Sequence, residues 1–333
     1  MIRRTGATIV VTSLILVYIC VYPVAAQAQG IDYPLDVMSG LVSTVGARDW
    51  RYTIGFKKFF NSYTSYQFPN PFPPEQDPLS RLEFPIDQWF FGGDYIYDAW
   101  TWSASLDLWT NINKNSRAPM QDSDWDQANQ PDQKSVFSES KCKLKRSWLG
   151  DLKFLIKPQV SFFRTLRPIF GVRYQTFSFV THDGNQISLD GYNMDLPGEG
   201  IEFDQSFYQY YVGGQINTTL KTAGLARYVS GLGIGLVLDY ALVSAKNQDL
   251  HLLREGERIT TEITKGHCWH AEATASLPLR DNIRLQLDVD FKRIITNGDH
   301  QLTNSFLDVD FGFNGSRVWS DQLSAAAVGE LIF

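Results

Sequence analysis

The chain reads as an all-β protein: a closed antiparallel up-and-down transmembrane barrel of about ten strands with long extracellular loops. Three observations carry that reading. Beyond the amino-terminal segment, no stretch is long and apolar enough for a membrane helix, so crossing a bilayer requires a closed barrel in which every backbone group is paired. Period-2 alternation is strong: Ile283, Leu285, Leu287, Val289 and Phe291 alternate without exception with Arg284, Gln286, Asp288, Asp290 and Lys292. The 333 residues are 44% hydrophobic and 14% aromatic, too apolar for a disordered chain. The aromatics cluster as Trp89-Phe90-Phe91, Tyr95, Tyr97, Trp100, Trp102, Trp109 and Tyr208, Tyr210, Tyr211. A soluble sandwich gains nothing from such clusters, whereas a barrel in lipid carries aromatic girdles at both interfaces.

The elements follow in order. Arg3 and Arg4, the apolar run Ala7 to Val24 and the small-x-small site Ala26-Gln27-Ala28 form a signal peptide over residues 1–28, which leaves 29–333 as a single exported barrel domain. Removing two arginines takes the net charge from −6 to −8. Strands are expected near 33–56, 80–97, 99–114, 151–164, 166–182, 201–220, 228–246, 257–277, 283–297 and 317–333. Leu82, Phe84 and Ile86 oppose Arg81, Glu83 and Asp87 in the second, and Trp100, Trp102 and Ala104 oppose Thr101, Ser103 and Ser105 in the third. Turn clusters such as Leu149-Gly150-Asp151, Pro278 to Asn282 and Asn297-Gly298-Asp299 separate the runs. The Gly231, Gly233, Gly235 series marks strand curvature, and Phe333 closes the last strand. Pro158 sits awkwardly in the fourth strand, where a ladder N–H is wanted. With both termini in the periplasm, the longer connections all fall outside the cell, and the alternate ones are short.

The acidic balance and the absence of a Lys/Arg-rich run exclude a nucleic-acid partner, because neutralising phosphates supplies most of that affinity. Cys142 and Cys268 remain after cleavage, and the sequence does not say whether they pair. Cys268 and His270 share one strand face but lack further Cys or His ligands, so no metal site is expected. Two motifs carry chemistry. Asp122-Ser123-Asp124-Trp125 is expected to open the loop after the third strand, and Asp249-Leu250-His251 to follow the seventh. In extended backbone, residues i and i+2 point to the same side, so each motif offers two polar groups on one face. Either alone reads as solvated loop surface. Together they lie at one rim of one barrel, where His251 oriented by Asp249 makes a general base.

These residues resemble the omptins, outer-membrane endopeptidases on a ten-stranded barrel. The match runs through Ser80-Arg81-Leu82-Glu83-Phe84, Ser116-Arg117, Met120, Asp122, Asp124 and Trp125. It continues through Ile201, Gln205, Phe207, Tyr211 and Gly213, and then Asp249, His251, Gly256, Arg258, Ile259 and Thr260. The resemblance implies that Asp122 and Asp124 are the catalytic aspartate pair and Asp249 with His251 the aspartate-histidine pair. A water between Asp122 and His251 would then attack the peptide carbonyl. It also implies outer-membrane lipid and peptide or protein substrates as partners, a monomer, and an active site facing outside a Gram-negative cell. Of two substrate-binding positions, one departs from the family pattern. Asn247 stands where an acidic residue selects basic substrates, and Asp49 aligns loosely with a second acid on the first strand. No cofactor is implied: the family's lipopolysaccharide-binding arginine falls on Ser206, and its partner positions near Tyr174 and Thr176 differ as well, so lipopolysaccharide dependence stays open. The rival reading is a catalytically silent barrel acting as adhesin or small channel, and four retained catalytic positions favour the enzyme.

Overall fold

The structure is a computed structural model that describes residues 49–333 apart from 74, 128, 159–165, 220–230, 255 and 257. The expected signal peptide lies outside the described residues. Alternating sequence gives strand throughout, and there is no helix among the described residues. The segments are β1 (Asp49–Asn70), β2 (Gln76–Ile86), β3 (Trp89–Asp98), β4 (Trp102–Asn111), β5 (Met120–Asp124) and β6 (Val136–Ile156), followed by β7 (Leu166–Ser188), β8 (Asn193–Thr219), β9 (Gly233–His251), β10 (Arg258–Arg280), β11 (Ile283–Asn304) and β12 (Val309–Ile332). Every registered pair of strands is antiparallel.

The ring closes where β12 pairs with β1, from Arg51 opposite Ile332 to Gln67 opposite Arg317. Two walls are interrupted. β3 pairs with the first half of β1 and β2 with the second, so β2 and β3 form one long strand broken at Asp87-Gln88. β4 and β5 likewise share the edge of β6 as a single strand broken between 112 and 119. Twelve hydrogen-bonded segments therefore make ten barrel strands, and closure leaves no edge to aggregate.

Parity decides which face meets lipid. On β11, Leu285, Leu287 and Val289 are 41%, 54% and 51% exposed on the outside, while Asp290 is buried inside, as hydrocarbon demands. Outward rows on β7 (Phe170, Val172, Tyr174), β8 (Tyr208, Tyr210, Val212) and β9 (Leu238, Tyr240, Leu242) continue this belt. Trp50, Tyr52, Tyr95, Tyr97, Trp102 and Phe333 pack together at one margin. Tyr174 with Tyr208, and Tyr240 with Trp269, mark the other. Above that margin the outward residues turn polar, with Asp204 on β8 and Lys246 and Gln248 on β9, so the wall continues beyond the bilayer.

This extension corrects several sequence expectations. The first strand covers 49–70 instead of 33–56, whose residues 33–48 lie outside the described set. Its alternation is broken by a bulge at Asn61, whose φ is 45°, with a register shift between Phe60 and Tyr63. The fourth barrel strand, β6, covers 136–156 instead of 151–164 and ends before Pro158. A second bulge, between Leu144 and Arg146, puts Lys145 and Arg146 both outside and erases the period there. The connections 157–165 and 220–232 at the lower end are not short, so the two ends differ by wall height and not by loop length.

The interior has two layers. Within the belt, Arg173 makes a bidentate bond to Asp239 at 2.8 and 2.6 Å and a third to Asp151 at 2.7 Å. His270 links Asp239 to Asp290, which also holds Lys292. Higher up, Phe84 stacks on Phe203 at 4.2 Å, with Tyr66 and Phe179 against them. The lumen is filled.

Candidate active site

The two motifs sit on strands, not in loops. β5 is wedged between β2 and β6, with Asp122 opposite Leu82 on one side and Ser138 on the other. Trp125 N–H donates to the Leu79 carbonyl, and Ser135 donates from both its N–H and its hydroxyl to the Asp124 carbonyl. These bonds fix the far end of the segment and so the direction of both carboxylates. The second motif ends β9, which runs to His251 between β8 and β10. Its inner face forms three rungs with β10: Asn247 opposite Glu262, Asp249 opposite Thr260, and His251 opposite Arg258.

Asp249 is fully buried and accepts a 2.6 Å bond from the Thr260 hydroxyl. His251 Nε2 lies 3.4 Å from Asp249 Oδ1, while Asp249 Oδ2 is buried with no hydrogen-bond partner. Across the cleft, Asp122 Oδ1 is also buried and unpartnered. Burial pushes the Asp122 carboxyl up to about 7, and the charge of Asp124 adds to the rise. His251, Arg254 and Arg258 lie near enough to oppose it. Burial raises Asp124 as well, against a hydrogen bond from Ser80. The wall positions above the belt thus bring the four predicted catalytic residues to one cleft, with the aspartate pair facing the histidine. Phe203, in register with Asp249, floors it.

Of the two predicted substrate-binding positions, one lies here. Asn247 is fully buried one rung below Asp249. Asp49 is at the start of β1 in register with Asp98, about 50 Å along the strand from the level of Thr64 and Tyr66. It does not line the cleft, because the strand-1 segment that reaches this height begins after the Asn61 bulge. Sequence reasoning missed Glu262 and His300, which are buried beside Asn247 and joined by a 2.8 Å bond. Their signal was a charged residue and a histidine at inward parity on β10 and β11. Ser206 and Thr176, in register at the margin of the belt, are both neutral. Cys142 and Cys268 are buried and unpaired. Among the described residues, one side-chain group has metal-ligand proximity, His270, Glu272 and Asp290, with atoms within 4.8 Å of one another. There Asp239, Arg173 and Lys292 already engage the histidine and Asp290.

No curated protein matches the sequence significantly. Among solved structures, the outer membrane protease OmpT from Escherichia coli superposes with a TM-score of 0.74 at 14% identity, covering 88% of this chain and 99% of that one. At that identity the likeness shows the fold. The translocator domain of the autotransporter NalP from Neisseria meningitidis, at 12% identity and TM-score 0.33, covers 89% of this chain and 92% of its own. The model of the omptin family matches residues 75–318, a span that contains both barrel-rim motifs and well over half the sequence. With the closed barrel and the acidic cleft, that match shows that the chain belongs to the omptin family of outer-membrane proteases.

Proposed function

We propose that this chain is an endopeptidase that hydrolyses peptide bonds in the rim cleft, using a water activated between Asp122 and His251. One observation carries the reading: Asp122 Oδ1 and Asp249 Oδ2 are buried, unpartnered acceptors on facing walls, with His251 3.4 Å from the other carboxylate oxygen of Asp249. Unpaired buried acceptors cost about 1–3 kcal/mol each, so a fold keeps them where a ligand or water completes them. In this mechanism Asp249 orients the imidazole, and His251 removes a proton as the water attacks the carbonyl carbon. Asp122 holds that water from the other wall, and Asp124 tunes the charge of Asp122. His251 then returns the proton to the leaving amine.

The cleft end of the barrel is proposed to face outside the cell and residues 1–28 to be removed on export, so that the mature chain begins near Gln29. The protein is taken to act as a monomer embedded in outer-membrane lipid. The filled lumen counts against a channel. The test is to incubate the refolded, lipid-reconstituted protein with a mixed peptide library and read cleavage by mass spectrometry, beside the His251→Ala variant. New termini with the unaltered protein alone support the reading, and equal patterns or none reject it. Intact cells cleaving a membrane-impermeant peptide would establish the orientation.

A further inference from the structure

The motif Asp122-Ser123-Asp124-Trp125 contains one residue that the proposed mechanism leaves without a role, the tryptophan. Asp122 and Asp124 point into the cleft, so by the parity of the strand Gln121, Ser123 and Trp125 face outward. The outer surface at this height is built as a row. Phe137 on β6, Ser123 on β5, Arg81 on β2, Gln67 on β1 and Arg317 on β12 stand side by side in register. Arg81 donates to Gln67 Oε1 from Nε at 3.0 Å and from Nη2 at 2.7 Å. Its guanidinium lies 5.4 Å from the ring of Trp319 and 5.4 Å from that of Trp125. Lys134 comes from the chain that returns to β6: its ammonium donates to Ser123 Oγ at 2.9 Å and lies 5.6 Å from the Trp125 ring and 4.7 Å from that of Phe137. Two cations engage one indole. Asp126 N–H donates to Ser135 Oγ at 3.0 Å, which ties the returning chain to the residue after Trp125.

The two halves of the site are supported unequally. Asp249 and His251 end a 19-residue strand that is paired along its length with β8 and β10. Asp122 and Asp124 ride on five residues, cut off from β4 by the break at 112–119 and paired with β2 only over Ser80–Glu83. A segment so short gains little direction from its own ladder. A water held between Asp122 and His251 tolerates little drift, because a displacement of about 1 Å can cost about 100-fold in rate. The stack on the outer face supplies the missing support. Cation–aromatic attraction resists sliding of the indole past the two charges, and Ser123, 1% exposed and bonded to Lys134, lies between the two aspartates in the chain.

The geometry points to Trp125 as a positioning residue: held by Arg81 and Lys134 on the outside of the wall, it fixes β5 and thereby the separation of Asp122 from His251. The inference rests on the endopeptidase reading and deepens it. The three side chains act through β5, from the face turned away from the cleft.

The test compares wild type with Trp125→Leu, Trp125→Phe, Arg81→Met, Lys134→Met and a control on the same outer face, Gln121→Ala, all reconstituted in lipid. On a cleaved peptide, kcat is expected to fall at least tenfold in Trp125→Leu and Arg81→Met with KM within threefold. The fall should be smaller for Lys134→Met, whose side chain is exposed, and kcat should stay within threefold in Trp125→Phe and Gln121→Ala. The acid limb of the rate should move to lower pH in Trp125→Leu, because loosening β5 wets the Asp122 carboxyl that burial raises. Amide hydrogen exchange, read by mass spectrometry, should quicken over residues 120–125 in Trp125→Leu and Arg81→Met and stay unchanged in β9 and β10. A kcat within twofold of wild type in both of these variants overturns the inference and leaves the protease reading standing, as does an equal loss in Trp125→Phe or in Gln121→Ala. Faster exchange confined to β5 upholds the inference even if no form cuts a peptide, an outcome that removes only the protease reading. Exchange unchanged at β5, or quickened throughout the wall, overturns it. Native electrophoretic mobility checks that each variant closes, and should Trp125→Leu fail to do so, Arg81→Met decides.

Discussion

The Arg173 ion network inside the belt and the polar groups at the rim are treated in opposite ways by one barrel. In the lumen, Arg173, Asp151, Asp239, His270, Asp290 and Lys292 bind one another, and every one of them has a partner at hydrogen-bond distance. At the rim, Asp122, Asp249, Asn247 and Glu262 each keep a buried polar atom without one. The lumen network fills space in a place that hydrocarbon surrounds, where an unpaired ion is very costly. The rim groups lie above the lipid, where the proposed reaction brings water and peptide to them. Satisfied charges there would bind nothing, so the contrast separates residues that hold the barrel from residues proposed to act on a substrate.

The largest expected effect breaks the rim side alone. Replacing His251 by Ala should lower turnover by about 10²–10⁴, the usual contribution of a general base, with the barrel intact by electrophoretic mobility. Asp122→Asn should lose activity comparably, and unchanged cleavage in either variant would remove that residue from the mechanism.

Next in size is the lumen. Arg173→Met strands Asp239 and Asp151 without their cation, and breaking a buried pair costs about 3–5 kcal/mol. Urea unfolding in lipid vesicles should show that loss, while the folded fraction keeps its activity per molecule. A variant as stable as wild type but inactive would mean that the two regions are not separable.

A smaller effect sharpens the rim chemistry. With Asp122 pushed up to about 7, and ionised Asp122 needed to hold the water, cleavage should rise with pH through about that value. Asp124→Asn removes a like charge, makes ionisation easier and should move this acid limb to lower pH. Arg258→Gln removes a favourable positive charge and should move it to higher pH. Limbs that stay fixed in both variants would assign the titration to another group.

The smallest effect concerns Asn247→Asp. It adds a second carboxylate beside Glu262 and should raise cleavage after basic residues relative to neutral ones modestly, and more at low salt, where screening is weaker. No change in that ratio at low salt would place Asn247 outside the substrate site.

What the sequence determined by itself was whatever depends on neighbours along the chain. The period of two is set by the pleat, so the row Leu285, Leu287, Val289 and its polar counterpart declare their faces without any partner strand. The pairing of Asp122 with Asp124 and of Asp249 with His251 on single faces is local in the same sense. The tertiary structure decided what depends on register. The bulges at Asn61 and at Leu144 to Arg146 shift the alternation, so the first and fourth strands were misplaced, and Asp49 fell at the wrong end. Around the two motifs both wall faces carry polar residues and the pattern fades, although the hydrogen-bond ladder continues, which is why two strand-borne motifs read as loops. Only closure of the ladder sets Asp122 against His251 and Glu262 beside Asn247, because residues so far apart in the chain meet through inter-strand hydrogen bonds that no local pattern encodes.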